Sequence, residues 1–362
     1  MTEAVRAGFI GTGFMATVHT RAARAARAEL RAIAGSSQAK AKDAAAELGV
    51  ERAEADVASM ATESDLDVIH VCSPNALHAE HALAALAAGT HVICEKPLAT
   101  SVHDARRMVE AAAGLVTAVP FAYRYHPMVR QARALVAAGE VGRILTIDAA
   151  YLQDWLLGAD ETNWRADGAL GGASRAFADI GSHLCDLLEF VTGARIARLT
   201  ARTRTVYAER AGAEVANEDI AALLVEFDGG ALGTLLISQL APGHKNALTF
   251  EVHGTTETVR FAQESPEQLW LGRKAGSQLV MRDAETLAPD AARLSIVPSG
   301  HPMGYQDAFN ALVADAYAAI AGETPDGLPT FADGLRAAQL TEAVLASAAH
   351  GGTWIETPFE EE

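Results

Sequence analysis

The sequence predicts an α/β protein: a doubly wound parallel sheet first, then an α+β domain whose sheet is largely antiparallel. Three observations carry that expectation. Apolar strand-like runs alternate with helical patterns through the first third of the chain, a glycine turn follows the first run, and beyond Pro127 the texture changes to strands of alternating polarity. At 362 residues, 50% of them hydrophobic and 21% charged, the chain suits two globular cores, expected at 1–122 and 123–362. A net charge of -17 speaks against nucleic acid or an anionic membrane as partner and for a small neutral or polar molecule. Cys72, Cys94 and Cys185 are widely spaced, without a zinc pattern, which reads as a reduced cytoplasmic protein with buried thiols and no metal. The only early apolar run, residues 5–10, is too short for a signal peptide, and no stretch approaches a membrane span. Arg21, Arg24 and Arg27 read as a solvated helix face.

In chain order, residues 5–10 form a strand that runs into Gly11-Thr-Gly13-Phe14-Met15-Ala16 and an Ala-rich helix to about residue 28. Gly11 permits the sharp turn, Gly13 lets backbone amides approach a pyrophosphate, and the small Ala16 lets the helix pack closely with its positive end on the phosphates. With a strand at 30–34 and a helix at 38–48 behind it, this is a Rossmann dinucleotide site. The second strand ends in Gly35-Ser36-Ser37 and not in an acid, so nothing repels a 2′-phosphate, and Ser36, Ser37 and Lys40 could receive one. That favours NADP over NAD, the alternative being that either serine simply caps the helix. Strands at 67–72, 90–94 and 115–119 alternate with helices at 76–88 and 101–113. Their carboxyl ends carry Ser73-Pro74-Asn75, Glu95-Lys96-Pro97 and Tyr123-Arg124, which should converge on one cleft. Past a helix at 129–138 and a strand at 143–151 comes a polar, aromatic loop with Gln153, Trp155, Trp164 and Arg165. Alternating runs at Val206, 219–227, 231–239, 248–252 and 258–261 then read as antiparallel strands, and helices at 306–321 and 331–349 close the chain.

The segment on which the rest converges is Ala178-Asp179-Ile180-Gly181-Ser182-His183-Leu184-Cys185-Asp186. As an α-helix it places Asp179, His183 and Asp186 on one face beside an apolar stripe, with Gly181 marking a place where a ligand or backbone comes close. The plainer alternative is a surface helix with a salt-linked histidine.

Gly11-Thr-Gly13, Ser73-Pro74-Asn75 with His78, Glu95-Lys96-Pro97, Tyr123-Arg124-Tyr-His-Pro127 and Gly171-Gly172 leading to Asp179 and His183 together resemble the glucose-fructose oxidoreductase and inositol dehydrogenase (Gfo/Idh/MocA) family. The resemblance runs in order through roughly half of the chain. It implies hydride exchange between NAD(P) and a secondary hydroxyl of a sugar, anhydrosugar or polyol, and a C-terminal sheet whose open face assembles a homodimer or homotetramer. It also implies Gly11, Gly13, Phe14, Met15, Ser36, Ser37, Ser73, Asn75, His78, Glu95, Lys96 and Arg124 at the cofactor. Lys96, Tyr123, Gln153, Trp155, Trp164, Arg165, Asp179 and His183 are implied at the substrate. Ala122 stands where the family usually has Asn.

The residues allow this chemistry independently. Oxidising a secondary alcohol needs a base, a cation beside the developing alkoxide, and an orienting group. His183 suits the first, Lys96 the second and Asp179 the third, with Asp186 able to hold the other nitrogen of His183. Whether Lys96 or His183 takes the proton stays open. Lys96 has a rival reading as a strand-end lysine paired with Glu95. Trp155, Trp164 and Arg165 have one as core or interface residues, and Arg124 as an inter-domain ion pair. Two other functions compete: a non-catalytic NAD(P)-binding sensor, and an NAD-assisted glycosidase or lyase with internal redox cycling.

Overall fold

A computed structural model of the protein describes residues 4–54, 56–61 and 65–358. The chain divides into two compact units, residues 1–122 with 305–338, and residues 123–304 with 339–362.

In the first unit, strands β1 (Arg6–Ile10), β2 (Glu29–Ala34), β3 (Arg52–Glu54), β4 (Val68–Val71), β5 (His91–Cys94) and β6 (Thr117–Ala118) form one parallel sheet in the order β3-β2-β1-β4-β5-β6. Between them run α1 (Phe14–Ala25), α2 (Gln38–Leu48), α3 (Val57–Ala61), α4 (His78–Ala87) and α5 (Val102–Ala111). The strand order reverses between β1 and β4, and in such sheets a ligand lies beyond the carboxyl ends of the strands at the reversal. β4, Val68-Ile-His-Val71, is buried throughout, as suits a strand covered on both faces. Ser37 caps α2 by accepting from the Lys40 amide at 3.3 Å, and Ser101 caps α5 by accepting from the Asp104 amide at 3.1 Å. The short β3 and α3, with no periodicity long enough to read, were not expected.

The second unit opens with α6 (Pro127–Ala137), β7 (Ile144–Leu152) and the single turn α7 (Gly168–Gly171), followed by a π-helical turn (Phe177–Gly181) that feeds α8 (Ser182–Thr192). Then come β8 (Ile196–Arg204), a small ribbon of β9 (Glu209–Arg210) and β10 (Ala213–Glu214), β11 (Ile220–Phe227), β12 (Leu232–Ser238), β13 (Ala247–Gly254), β14 (Thr258–Ala262), β15 (Gln268–Arg273), β16 (Gly276–Met281) and the short α9 (Pro289–Arg293). With the late strand β17 (Ile355–Glu356) these build a nine-stranded sheet, β16-β15-β14-β13-β7-β12-β11-β8-β17. Every pairing is antiparallel except that of β7 with β12. Alternation is clean where one face is covered: Ala221, Leu223, Val225 and Phe227 of β11 point inward, and Leu224 is 50% exposed. Val206, expected in a strand, lies in the bend after β8, whose mixed Ile-Ala-Arg-Leu-Thr-Ala-Arg-Thr-Arg sequence hides its own alternation.

The last two helices, expected wholly in the C-terminal domain, are divided. Helix α10 (Tyr305–Ile320) and residues 331–338 of α11 (Phe331–Ala349) belong to the first unit. The reason is packing. Phe309 of α10 meets the His19 ring at 4.7 Å, Gln306 Nε2 donates to the Val18 carbonyl at 3.2 Å, and Phe331 joins the core formed by Leu98, Val119 and Phe121. A Cβ on Gly334 would lie 2.8 Å from Leu98 Cβ and 2.9 Å from Val119 Cγ2, so the helix can approach this closely only as glycine. Among the described residues, no helix is long and apolar enough to cross a membrane, and no group of three or more His, Cys, Asp or Glu could hold a metal ion.

Gly334→Ala gains about 1 kcal/mol of helix propensity but overpacks a filled site at a cost of about 1–3 kcal/mol. A lower Tm than wild type is expected in thermal unfolding. An unchanged or raised Tm would contradict this packing.

Candidate active site

In the first unit the glycine turn fits a dinucleotide. Gly11 has φ +114°, and a Cβ there would sit 2.5 Å from the Cys72 carbonyl oxygen, so β1 and the β4 end meet across a bare Cα. A Cβ on Gly13 would meet nothing within 4 Å, and as N-cap of α1 this residue offers no side chain to the first-turn amides. Those amides, with the positive end of the helix, are left to meet an anion. Phe14 is exposed and Met15 half-buried beside them. At the end of β2, Ser36 and Lys40 are exposed, with Lys40 Nζ donating to Ser36 Oγ at 3.2 Å.

The ends of β4 and β5 are strapped together. His78, 1% exposed, has Nε2 2.8 Å from the Ser73 carbonyl and Nδ1 2.8 Å from the Pro97 carbonyl. Burial lowers its pKa, although both backbone contacts oppose this. The ring therefore joins the loops that follow β4 and β5. Ser73 Oγ contacts His81 Nδ1 at 2.9 Å, and Asn75 is buried at the start of a 3₁₀ turn. Glu95 is 5% exposed and accepts from the Lys96 amide at 3.1 Å, while its other oxygen lies 3.1 Å from His19 Nε2. Burial alone would raise the Glu95 pKa, but the His19 hydrogen bond and the positive charge of Lys96 oppose it, and the pKa is lowered. Lys96 itself is half-buried.

In the second unit Asp179, His183 and their neighbours form a polar cluster. Asp179 is 9% exposed, accepts from Gln239 Nε2 at 3.0 Å and pairs with Arg165 Nε at 3.2 Å. The Arg165 guanidinium in turn stacks on Trp164 at 4.4 Å. His183 packs edge-on against the Tyr123 ring at 5.0 Å. From Tyr123 a network runs outward: its hydroxyl meets Tyr151 and accepts from Asn246 Nδ2 at 3.0 Å, Gln153 Nε2 donates to Asn246 Oδ1 at 2.9 Å, and Trp155 Nε1 donates to Gln153 Oε1 at 2.7 Å. Burial, and secondarily the Asp179 charge, raises the Tyr123 pKa, so the phenol is a standing donor or acceptor and not an anion.

Three expectations are corrected here. Asp179 and His183 are not an α-helical i, i+4 pair: the Ser182 amide donates to the Phe177 carbonyl five residues back, so a π turn and not an α-helix carries Asp179 into α8. The close approach at Gly181 is made by the Phe177 ring, which a Cβ would meet at 2.5 Å, and not by a ligand. Arg124 is an ion pair within the second unit and not between domains, donating from Nε to Asp186 at 2.8 Å and from Nη2 to its other oxygen. Asp186 is thereby committed to a bidentate guanidinium.

The supports of the π turn were invisible in the sequence. Glu218, 4% exposed, accepts with one oxygen from Ser174 Oγ at 2.7 Å, the Arg175 amide at 3.1 Å and the Phe177 amide at 2.8 Å. Asp219, fully buried, takes Arg175 and Arg210, and Arg210 also donates to the carbonyls of Leu156 at 2.9 Å and Gly158 at 2.6 Å, anchoring the aromatic loop. Asn217 Nδ2 donates to the Arg165 carbonyl at 2.9 Å, and a Cβ on Gly171 would strike that same carbonyl at 2.3 Å. A buried Gln239 after the apolar run of β12 was the one available signal; Asn246, in a polar stretch, gave none.

Fold and site define an NAD-binding oxidoreductase. Residues 5–119 match the oxidoreductase family with NAD-binding Rossmann fold, and residues 129–260 match the GFO/IDH/MocA C-terminal domain. The chain belongs to the Gfo/Idh/MocA family of oxidoreductases. It is 31% identical to levoglucosan dehydrogenase of Pseudarthrobacter phenanthrenivorans, the alignment covering 97% of each chain. A crystal structure of an oxidoreductase domain protein from Kribbella flavida superposes with a TM-score of 0.92 at 34% identity, covering 99% of this chain and 100% of that one. A levoglucosan dehydrogenase in complex with NADH and levoglucosan does so with a TM-score of 0.91 at 30% identity, over 98% of this chain and 100% of that one.

Glu218 tests the support of the site. Burial raises its pKa, so the native state keeps the proton to higher pH than the unfolded chain, and the stability this group lends falls as pH rises above the ordinary glutamate range. Glu218→Ala, which strands three donors, should cost about 2–4 kcal/mol in denaturant unfolding. Glu218→Gln, which keeps the accepting oxygen, should cost less than half of that and flatten this part of the pH profile. Equal losses in the two variants would contradict the acceptor role.

Proposed function

We propose that the protein is an NAD(P)-dependent dehydrogenase that reversibly oxidises one secondary hydroxyl of a sugar, anhydrosugar or polyol. The observation that carries this reading is Asp179: a buried carboxylate held on one side by Gln239 and on the other by Arg165, on the same segment as His183. So held, it can accept from a neighbouring substrate hydroxyl and orient the ring. The length-wide similarity to levoglucosan dehydrogenase supports a carbohydrate substrate. Bound at Gly11, Gly13, Phe14 and Met15, with Ser73, Asn75, Glu95 and Lys96 beyond, NAD(P)⁺ supplies the hydride acceptor. Lys96 stabilises the developing alkoxide, and the hydroxyl proton passes to His183 or Lys96. Trp155 and Trp164 offer apolar faces to a sugar ring, while Tyr123, Gln153 and Arg165 offer hydrogen bonds. Arg124, held by Asp186, is proposed for the nicotinamide side of the cofactor. The exposed Leu224, Leu232 and Leu236 on the open face of the second sheet suit assembly of copies of this chain, in the cytoplasm.

NADP is the proposed preference. Gly35-Ser36-Ser37 carries no carboxylate, and the Lys40–Ser36 pair is an exposed donor set for a phosphate, although Ser37 Oγ is engaged in capping α2.

Formation of reduced cofactor with a panel of free sugars, levoglucosan, glycosides and inositols, supplied with NAD and with NADP, tests the reading. At least one member is expected to turn over, and none doing so while cofactor binds would overturn it. On that substrate, Lys96→Ala and His183→Ala should each lose on the order of 100- to 10,000-fold in kcat/KM. His183→Ala removes the acidic limb of the pH profile if the imidazole takes the proton and spares it if Lys96 does. For the cofactor, Lys40→Ala should lower kcat/KM for NADP about tenfold and leave NAD untouched, the effect of one charge-assisted contact. Equal effects on both would sink the preference.

A further inference from the structure

Four separate elements of the first unit meet in a chain of buried polar groups that the dinucleotide site does not explain. His19 on α1 and His70 in the middle of β4 are both fully buried, their Nδ1 atoms 2.8 Å apart. His70 Nε2 lies 2.7 Å from the Tyr317 hydroxyl on α10, and His19 Nε2 lies 3.1 Å from Glu95 Oε1 after β5. Phe9 at 4.9 Å from the His70 ring and Phe309 at 4.7 Å from the His19 ring close the space around them. The titratable groups around the Glu95 end are Cys72, Cys94, His78 and Lys96.

We propose that Tyr317, His70 and His19 form a one-way hydrogen-bond relay that holds the Glu95 carboxylate and, through it, the Lys96 turn, which makes them positioning residues of the reaction proposed above. The direction follows from counting protons. An ionised Glu95 can only accept, so His19 Nε2 carries a hydrogen. Burial depresses the His70 pKa well below the ordinary histidine value, so its ring is neutral and holds one proton. With that proton on Nδ1, Tyr317 O–H donates to His70 Nε2, His70 Nδ1–H donates to His19 Nδ1, and His19 Nε2–H donates to Glu95. Every group is satisfied. With it on Nε2, His19 must be an imidazolium to keep the contact between the two rings, and the Tyr317 hydroxyl hydrogen has no acceptor. His70 is the only hydrogen-bond partner of that hydroxyl among the described residues. A buried donor without an acceptor is disfavoured, and the first arrangement wins. Glu95 then presents its second oxygen to the Lys96 amide in a fixed place. A lysine that must meet a developing alkoxide gains from such fixation, because small displacements of a catalytic group cost rate.

The inference rests on the dehydrogenase reading for its effect on rate, but not for its geometry, and the test separates the two. Heteronuclear NMR of the imidazole nitrogens in the full-length protein should show His70 as the Nδ1–H tautomer and His19 protonated at Nε2 alone. In Tyr317→Phe, which keeps the ring and removes only the terminal donor, His70 should stay the Nδ1–H tautomer, since that proton still serves His19, while the resonance of its Nε2 shifts with the loss of its donor. On the sugar that turns over, Tyr317→Phe should lower kcat roughly tenfold, the worth of one hydrogen bond, with KM for the cofactor unchanged. His19→Leu should lower it on the order of 100-fold. His19→Gln, whose amide can still donate to Glu95, should recover part of that loss. An Nε2–H tautomer of His70 in the wild type would overturn the relay, and so would an unchanged kcat in folded Tyr317→Phe and His19→Leu. A wild type without turnover on any sugar overturns the dehydrogenase reading alone, since the tautomers are still measured.

Discussion

A carboxylate taken out of water must be surrounded by donors, and that one constraint organises both units. Glu95 sits at the carboxyl end of a buried parallel strand, where water cannot reach it, and its donors come from α1 and from the turn that follows. In the second unit Asp219 draws Arg175 and Arg210 to one point, and Arg210 in turn ties down the loop at Leu156 and Gly158. Glu218 gathers the start of the π turn, and Asp179 is held by Gln239 and Arg165. Removing one partner from such a set strands the other in a poor solvent, so each set fixes several backbone segments at once.

Much of the first unit was legible because its signals are local. Gly11 is where only a residue without Cβ can turn, and Ser37 and Ser101 each accept from the amide three residues on. The spans of α2 and α11 follow directly from apolar periodicity and caps. Longer-range features were not legible. The π turn adds one residue to a helical repeat through the packing of Phe177 on Gly181 and the grip of Glu218, which lies far along the chain. The division of the last two helices depends on Phe309, Tyr317 and Gly334 finding partners in the first sheet and its flanking loops, and periodicity reports only that a face is apolar, not what it will cover.

The site residues divide in the same way. Asp179 and His183 were singled out by a helical interval that the π turn alters, and Glu95 and Lys96 by their place at a strand end in a triplet that resembles the family's. Gln239, Asn246 and Glu218 were missed because they act from strand ends and loops whose proximity only the fold creates. The similarity to Gfo/Idh/MocA oxidoreductases runs through both halves of the chain, so it covers the Rossmann unit and the π turn and helix that carry Asp179 and His183 alike.

In the proposed reaction a hydride moves directly from a carbinol carbon of a carbohydrate to the nicotinamide. The most direct measurement is the fate of deuterium placed on the carbon that is oxidised, followed by NMR of the cofactor after one turnover. The account predicts deuterium in the nicotinamide ring, on one face only, and a keto product lacking it. Deuterium lost to water, or returned to the sugar with a bond cleaved elsewhere, would contradict it.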